Sequence, residues 1–211
     1  METYKKETVT MFESQAKSYE KWMVELLEKF ASPDVDRFVE ALKGPKVLDA
    51  GCGPGVFLEA FRNQKLDALG IDLSDVFIAR CHEKGLNVRK MDIESPLLYP
   101  HSFHGIWSHS VIQHIPKERI PKLVQTLARL LTVDGLLFAA FPEGDKEGYV
   151  ESANPGFKQW VSHFSEEEVE QLFGKQFERI HFEKQTRPDQ KNYLVYLFRV
   201  KKVQSPAFRN F

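Results

Sequence analysis

From residue 45 onward the chain alternates short apolar runs, bounded by turn residues, with longer segments of helical period. That alternation limits the fold more than any other feature. Lys46–Ala50 reads as a strand and Val56–Arg62 as a helix. Leu66–Ile71 reads as a second strand, and Ser74–Lys84 as a helix capped by Ser74 and ended by Gly85. Leu86–Lys90 and Phe103–Ser108 read as the third and fourth strands, and Leu136–Phe141 as the fifth. Before that fifth strand, Ile120, Leu123, Leu127, Leu130 and Leu131 form one helical stripe. Strand and helix in strict succession close only through right-handed crossovers between parallel strands. The spacing therefore predicts a doubly wound, Rossmann-like α/β sheet with helices on both faces.

The rhythm changes at both ends. Ser165-Glu-Glu-Glu168 reads as a capping box ahead of Val169, Leu172 and Phe173, with Gly174 as the stop. Phe177–Lys184 and Tyr193–Val200 read as strands joined around Pro188 and Asp189, too briefly for a crossover helix, so this pair is antiparallel. Between Pro142 and Phe164, glycines and prolines interrupt a stretch that carries Tyr149, Phe157 and Trp160. It reads as a loop, and so long a loop in a compact domain has a function or lacks order. Near the start, Phe12, Ala16, Tyr19, Met23, Leu26 or Leu27, and Phe30 recur at steps of three and four, as one helical stripe. Ser32-Pro33 then reads as a cap with proline at the first helical position, and Gly44 as a stop.

Composition removes whole classes of function. The 29 basic and 30 acidic side chains leave a formal charge of −1, without the positive field that drives non-specific binding to nucleic acid or anionic membrane. Cys52 and Cys81 cannot build a disulfide framework or a four-cysteine zinc site. Leu136–Phe141, the longest apolar stretch, is far short of the roughly 20 residues that span a bilayer. The first six residues lack the apolar core of a signal peptide. The expectation is a soluble cytoplasmic protein of one domain. Its one basic run, Phe198–Lys202 with Arg209, reads as a solvated strand end and tail.

The segment Val47-Leu-Asp-Ala-Gly-Cys-Gly-Pro-Gly55 carries the chemistry. Glycines at 51, 53 and 55 let the backbone turn tightly and approach a ligand at the carboxyl edge of the sheet, where open α/β sheets bind. Asp72 ends the next strand about 20 positions past Gly51, where a carboxylate can accept both hydroxyls of a ribose. Asp92 and Ile93 follow the third strand, an acid and an apolar residue suited to an adenine amine and ring face. A dinucleotide fingerprint counted from Gly51 needs glycine where Val56 stands, and Pro54 removes a backbone donor. The turn thus favours a nucleoside without a diphosphate. NAD(P) binding, or a mere strand-to-helix connection, are the competing readings.

With these residues the chain resembles the class I S-adenosylmethionine-dependent methyltransferases, of the small type-11/type-25 domain group, from about Phe12 to Val200. The family's motif I, hydrophobic-Leu-Asp-x-Gly-x-Gly-x-Gly, is matched by Val47–Gly55. The resemblance implies a seven-stranded, mostly parallel sheet with its last strand antiparallel, and S-adenosyl-L-methionine as cofactor. It assigns Gly51, Cys52, Gly53 and Gly55 to the cofactor turn, Asp72 with Leu73 to the ribose, and Asp92 with Ile93 to the adenine. The segment from Ser108 to Pro116 is similar to the one that lines the methyl-donor pocket, which makes Ser108 a further contact. Phe12–Tyr19 is similar to the N-terminal helix that closes over the cofactor, which brings in Tyr19. On this reading residues 1–44 are a helical cap, 45–141 the cofactor core, 142–164 an acceptor lid, 165–200 the last helix and strand pair, and 201–211 a tail.

Methyl transfer from a sulfonium is an in-line displacement with an excellent leaving group, so the protein's task is alignment and exclusion of water. Asp49 is placed near the turn to accept from the donor's ammonium. An O- or N-nucleophile also has a proton to lose, which makes His109 and His114 candidate bases. His101, His104, His109 and His114 invite a metal reading. However, His109 and His114 lie roughly 140° apart on a helix, so no metal is expected. Trp22, Tyr149 and Trp160 are candidate acceptor contacts. Neither cysteine stands after the fourth or fifth strand, where a nucleophile for pyrimidine carbon methylation would be, and both read as packing. No Asn/Asp-Pro-Pro-aromatic motif follows the fourth strand, which disfavours DNA base amines. The expected partner is a small-molecule acceptor of unread identity, methylated on O or N, without nucleic acid or membrane. The alternatives are an NAD(P)-linked oxidoreductase and a non-catalytic sensor or scaffold.

Overall fold

A computed structural model of the protein describes residues 1–152, 154–187 and 191–201. Its strands are β1 (Lys46–Ala50), β2 (Asp67–Asp72), β3 (Val88–Lys90), β4 (Phe103–His109), β5 (Leu131–Pro142), β6 (Glu147–Glu151), β7 (Lys158–Ser162), β8 (Phe177–Thr186) and β9 (Asn192–Val200). Its helices are α1 (Thr3–Ser14), α2 (Ala16–Leu26), α3 (Ser32–Ala41), α4 (Val56–Asn63), α5 (Asp75–Glu83), α6 (Ile120–Leu130) and α7 (Glu166–Phe173). One seven-stranded sheet has the order β3-β2-β1-β4-β5-β9-β8. Strands β1 to β5 run parallel, and β9 is antiparallel to both of its neighbours.

Both faces of this sheet are covered, which is why its central strands read as unbroken apolar runs. On one face Leu48, Leu137, Ala139, Phe141 and Tyr196 pack with α6 and α7. On the other, Val47, Trp107, Phe138 and Val195 pack with α2, α3 and α4. The strand period of two deals successive residues to opposite cores. Trp107, fully buried, stacks on Phe138 at 3.7 Å and joins the second core to Phe38, Phe57 and Phe61.

The structure departs from the sequence expectations in three places. The N-terminal stripe is not one helix: Gln15, at φ −126° and ψ 22°, breaks it into α1 and α2, and a π-helical turn over Leu27–Ala31 leads directly into α3. Ser32 is therefore already helical and caps nothing; Ala31 precedes it with helical dihedrals. Gly44 lies beyond the end of α3, against the His104 ring, where a Cβ would come within 2.4 Å of Nε2. The stretch from 142 to 164 is not a bare loop, since β6 and β7 pair within it as a separate antiparallel hairpin. Pro188, Asp189 and the basic tail from Lys202 on, with Arg209, lie outside the described residues. Among the described residues no helix is long and apolar enough to cross a membrane.

The capping box at α7 forms as read. Ser165 Oγ accepts from the Glu168 N–H at 3.1 Å, and the Glu168 carboxylate accepts from the Ser165 N–H at 2.9 Å. It fixes the start of the helix that drives Val169 and Phe173 fully into the core. Ser165→Ala should lower stability by about 1 kcal/mol, seen in urea as a lower midpoint with an unchanged slope; an unmoved midpoint would show the cap to be idle.

Candidate active site

After β1 the chain turns through Gly51, Gly53 and Gly55, with φ of +80°, +50° and +83°. The turn uses its own N–H groups inward. Gly51 and Cys52 donate to the Ile71 carbonyl at 2.8 and 3.0 Å, Gly55 donates to the Cys52 carbonyl at 3.0 Å, and Pro54 has no N–H. The Gly53 N–H donates to Asp72 Oδ2 at 2.9 Å, while Ser74, the N-cap of α5, donates to Oδ1 at 2.8 Å. Asp72 thereby joins the glycine turn to the start of the next helix. Burial raises its pKa, against the hydrogen bonds from Ser74 and Gly53 that lower it.

A cavity of about 110 Å³ opens at this edge. Its floor includes Gly51, Gly53, Asp72, Leu73, Asp92 and Ile93, so three successive strand ends meet on one cavity. Its roof is α1, through Tyr4, Lys5, Thr8 and Phe12, with Tyr19 from α2. Asp92 Oδ2 accepts from Lys5 Nζ at 2.6 Å, and Oδ1 from the Glu94 N–H at 2.9 Å. Lys5 is only 7% exposed and also pairs with Glu94 and Glu2, at 2.6 and 3.0 Å. Burial works against its charge, but the hydrogen bonds it donates to Asp92 and Glu94 outweigh that and hold the ammonium protonated. Arg119 closes the group by contacting Glu94 at 2.6 Å and Glu2 at 2.7 Å. Lys5, Glu94 and Arg119 carry no signal in the sequence beyond being charged.

Four residues expected at the cofactor stand off the cavity wall. Asp49 is 1% exposed, and its Oδ2 has no partner among the described residues. Burial, followed by the charge of Asp72, pushes its pKa well up. Ser108 is equally buried, its hydroxyl likewise unpartnered among the described residues. Cys52 and Gly55 face the other way. The Cys52 thiol, raised in pKa first by its hydrogen bond with Cys81 and then by burial, packs with Leu58, Cys81 and Leu86. A Cβ on Gly55 would meet Leu86 at 2.6 Å. These two shape the turn from behind rather than touch its ligand side.

The two candidate bases differ sharply. His109 is 8% exposed and sits on the first cavity, flanked by the rings of Phe57 and Phe138. Its Nε2 accepts from Arg187 Nη2 at 3.1 Å. Burial and that guanidinium push its pKa well down. Its Nε2 lone pair is therefore engaged by the guanidinium, which argues against a role as base. His114 donates from Nδ1 to the Trp160 carbonyl at 2.8 Å, which leaves Nε2 as a lone pair. Burial pushes its pKa down to about 4, against that hydrogen bond. His101 and His104 belong to the opposite end of β4, bound to the Leu131 carbonyl and the Lys46 N–H at 2.9 and 3.2 Å. Among the described residues no group of His, Cys, Asp and Glu is arranged to hold a metal ion.

A second cavity, about 600 Å³, adjoins the first. Phe12, Tyr19, Ser110 and His114 belong to both walls. Trp22 lines it, as expected of an acceptor contact. Tyr149 and Trp160 line neither cavity. They are cross-strand partners on the face of the hairpin turned to α1, where the Trp160 N–H donates to Thr8 Oγ1. Strand alternation gives the cavity to the other face, with Val150, Gln159 and Val161.

Residues 47–135 match the family model described as a methyltransferase domain. A ubiquinone biosynthesis O-methyltransferase of Methylococcus capsulatus is 32% identical over 112 residues, which cover 48% of this chain and 46% of that protein. The chain thus spans about half the length of the curated relatives it matches. The 1,6-didemethyltoxoflavin-N1-methyltransferase of Burkholderia thailandensis, solved with its substrate and S-adenosylhomocysteine, superposes at TM-score 0.73 with 20% identity, over 92% of this chain and 87% of that one. An S-adenosylmethionine-dependent methyltransferase of Mesorhizobium loti superposes at 0.65 with 17% identity, over 82% and 99%. The matched stretch runs from the start of β1 through the glycine turn into β5, and the likeness to the two solved methyltransferases is one of fold.

The low pKa of His114 has a measurable consequence for stability. Unfolded, it titrates near 6.5; folded, near 4. Its contribution is complete above the unfolded value and declines as the pH falls from 6.5 toward 4, because the unfolded chain takes up the proton first. Asp49 and Asp72, raised in pKa, act in the opposite sense, so comparison with His114→Gln isolates the histidine. Between pH 7 and 4.5, wild type should lose about 2 kcal/mol more than the variant in urea unfolding; parallel losses would show the ring to be solvated.

Proposed function

We propose that the chain is a cytoplasmic enzyme that transfers a methyl group from S-adenosylmethionine to an oxygen or nitrogen of a small molecule. The donor would occupy the first cavity and the acceptor the second. The observation that carries this reading is the wall the two cavities share at Phe12, Tyr19, Ser110 and His114.

The residues fit the donor. Asp72 keeps lone pairs toward the cavity for the ribose hydroxyls. Asp92 and Ile93 suit the adenine, and Leu73, Gly51 and Gly53 wall the nucleoside. Asp49 and Ser108, each with a buried oxygen that has no partner among the described residues, lie off the present cavity wall, so the ammonium end would have to reach past that wall to meet them. A pyrophosphate does not fit, because every N–H from Gly51 to Gly55 is absent or used within the fold. The bound donor supplies an electrophilic methyl on a neutral leaving group. The names of the relatives, an O-methyltransferase and an N-methyltransferase, support the reaction class.

The chain's own contribution is to hold and shield. Helix α1 roofs the first cavity and the β6–β7 hairpin walls the second, keeping water from the shared boundary. There His114 presents its Nε2 lone pair, with the Gln113 amide 3.4 Å away. A base with a pKa of about 4 is weak, yet it is uncharged at any neutral pH. It is also adequate, because the proton on an attacking oxygen becomes strongly acidic as the new bond forms.

Calorimetry with S-adenosylmethionine, S-adenosylhomocysteine and NAD tests the donor site, and tight NAD binding without sulfonium binding would overturn the reading. Asp72→Ala should weaken donor affinity about 10-fold or more through lost charge-assisted hydrogen bonds. His114→Ala should lower kcat on the order of 100-fold with donor affinity nearly unchanged. Release of no S-adenosylhomocysteine across a broad acceptor panel would favour a scaffold.

A further inference from the structure

We infer that the second cavity takes an uncharged planar ring, aromatic or heteroaromatic, that carries at least two O–H or N–H donors and is gripped by Gln113 and Gln159. This rests on the methyl-transfer reading for its position beside the donor, but not for its chemistry.

Three observations carry it. The first is shape. Phe12, Tyr19 and Trp22 form a continuous aromatic wall, Phe12 to Tyr19 at 4.8 Å and Tyr19 to Trp22 at 5.7 Å with 23° between planes. Flat rings gain offset-stacked or edge contacts on such a wall that an aliphatic body cannot make.

The second is charge. Among the described residues no Asp or Glu lines this cavity. Of its basic residues, Lys191 already has a partner, and His163 Nδ1 is 3.2 Å from the Lys146 carbonyl. Burial keeps His114 neutral. A cationic acceptor would meet no carboxylate among the described lining residues, and an anionic one would have to draw Lys191 from the partner it already has.

The third is the polarity of the unmet groups. Gln113 is 9% exposed, and its Oε1 has no hydrogen-bond partner among the described residues; Gln159 Oε1 is likewise buried and unpartnered there. The orientation of the Gln113 amide follows from its neighbour. His114 spends its Nδ1 proton on Trp160, so Nε2 needs a donor, and the Gln113 Nε2 stands 3.4 Å away. The oxygen is therefore the end left over. Two buried carbonyl oxygens without donors are costly. A ligand that brings O–H or N–H groups satisfies both, and the donor at Gln113 also stands next to the base.

The test uses the full chain saturated with S-adenosylhomocysteine and four probes: naphthalene-2,3-diol, 2,3-dimethoxynaphthalene, decalin-2,3-diol and 2-naphthoate. Binding is read by tryptophan fluorescence, since Trp22 lines the cavity. The planar diol should bind at least about tenfold tighter than each of the other three. Gln159→Leu should bring the diol down to the affinity of the dimethoxy compound, while S-adenosylhomocysteine affinity stays within about twofold. Equal binding of the dimethoxy compound, the decalin or the naphthoate, no binding by any probe, or an unchanged diol affinity in the variant would each overturn the inference. Failure of S-adenosylhomocysteine to bind in the parallel calorimetry would instead sink the methyl-transfer reading, and the four probes alone would still rank the cavity.

Discussion

The carboxylate of Asp72 is the point on which the ligand edge is built. It accepts from the Gly53 N–H with one oxygen and from the Ser74 N–H with the other, so one side chain fixes the glycine turn against the N-terminus of α5. Because the remaining N–H groups of the turn are spent on Ile71 and Cys52, the turn is rigid and offers no cluster of donors to an anion. It presents surface and a carboxylate instead. That combination selects a ligand with hydroxyls and positive charge over one with phosphates, and it does so through backbone bookkeeping rather than through the identity of any one residue.

The helical cap is tied to this edge by charge as well as by apolar contacts such as that of Tyr19 on Phe77. Glu13 accepts from Ser74 Oγ at 2.8 Å, Glu20 pairs with Arg80 and Lys84 at 2.7 Å, and Lys5 reaches Asp92 and Glu94. Exposed ion pairs contribute little each, commonly about 0–1 kcal/mol. The Lys5 cluster differs at its centre, where Lys5 and Glu94 are 7% and 10% exposed, while Glu2, Asp92 and Arg119 complete it from more open positions. It sets the height of the α1 roof over the cavity, and it places an ammonium against Asp92, the acid suited to an adenine amine.

Much of the sheet was legible because a doubly wound core leaves a long-range pattern: buried strands as apolar runs, helices as stripes, and glycines and caps at their ends. What escaped was local. The break at Gln15 and the π-turn after Leu26 leave the apolar spacing nearly intact, so one stripe stood for two helices. The β6–β7 hairpin contains glycine and glutamate and has one half-exposed face, which resembles a loop. Within it, aromatic character pointed to Tyr149 and Trp160, yet alternation hands the cavity to Val150, Gln159 and Val161. Within the glycine turn Gly51 and Gly53 line the cavity, whereas Cys52 and Gly55, which the motif also assigns to the ligand side, face Leu58, Cys81 and Leu86 instead. Isolated polar residues such as Lys5, Gln113 and Gln159 have no pattern to betray them; only their neighbours in space give them a role.

The two histidines show how completely that spatial context decides chemistry. His109 and His114 are the same residue type, five positions apart, both buried and both lowered in pKa. At His109 a guanidinium claims Nε2, and flanking rings fix the plane. The ring becomes part of the scaffold that holds Arg187 near the donor cavity. At His114 a backbone carbonyl claims Nδ1–H, which fixes the tautomer with the lone pair on Nε2, and the ring stands where two cavities meet. What distinguishes the two rings is that a guanidinium donates to Nε2 of His109, whereas a carbonyl accepts from Nδ1 of His114 and leaves Nε2 beside the Gln113 amide. The carbonyl is that of Trp160, so the hairpin that walls the second cavity also fixes the tautomer of the ring proposed as base beside it.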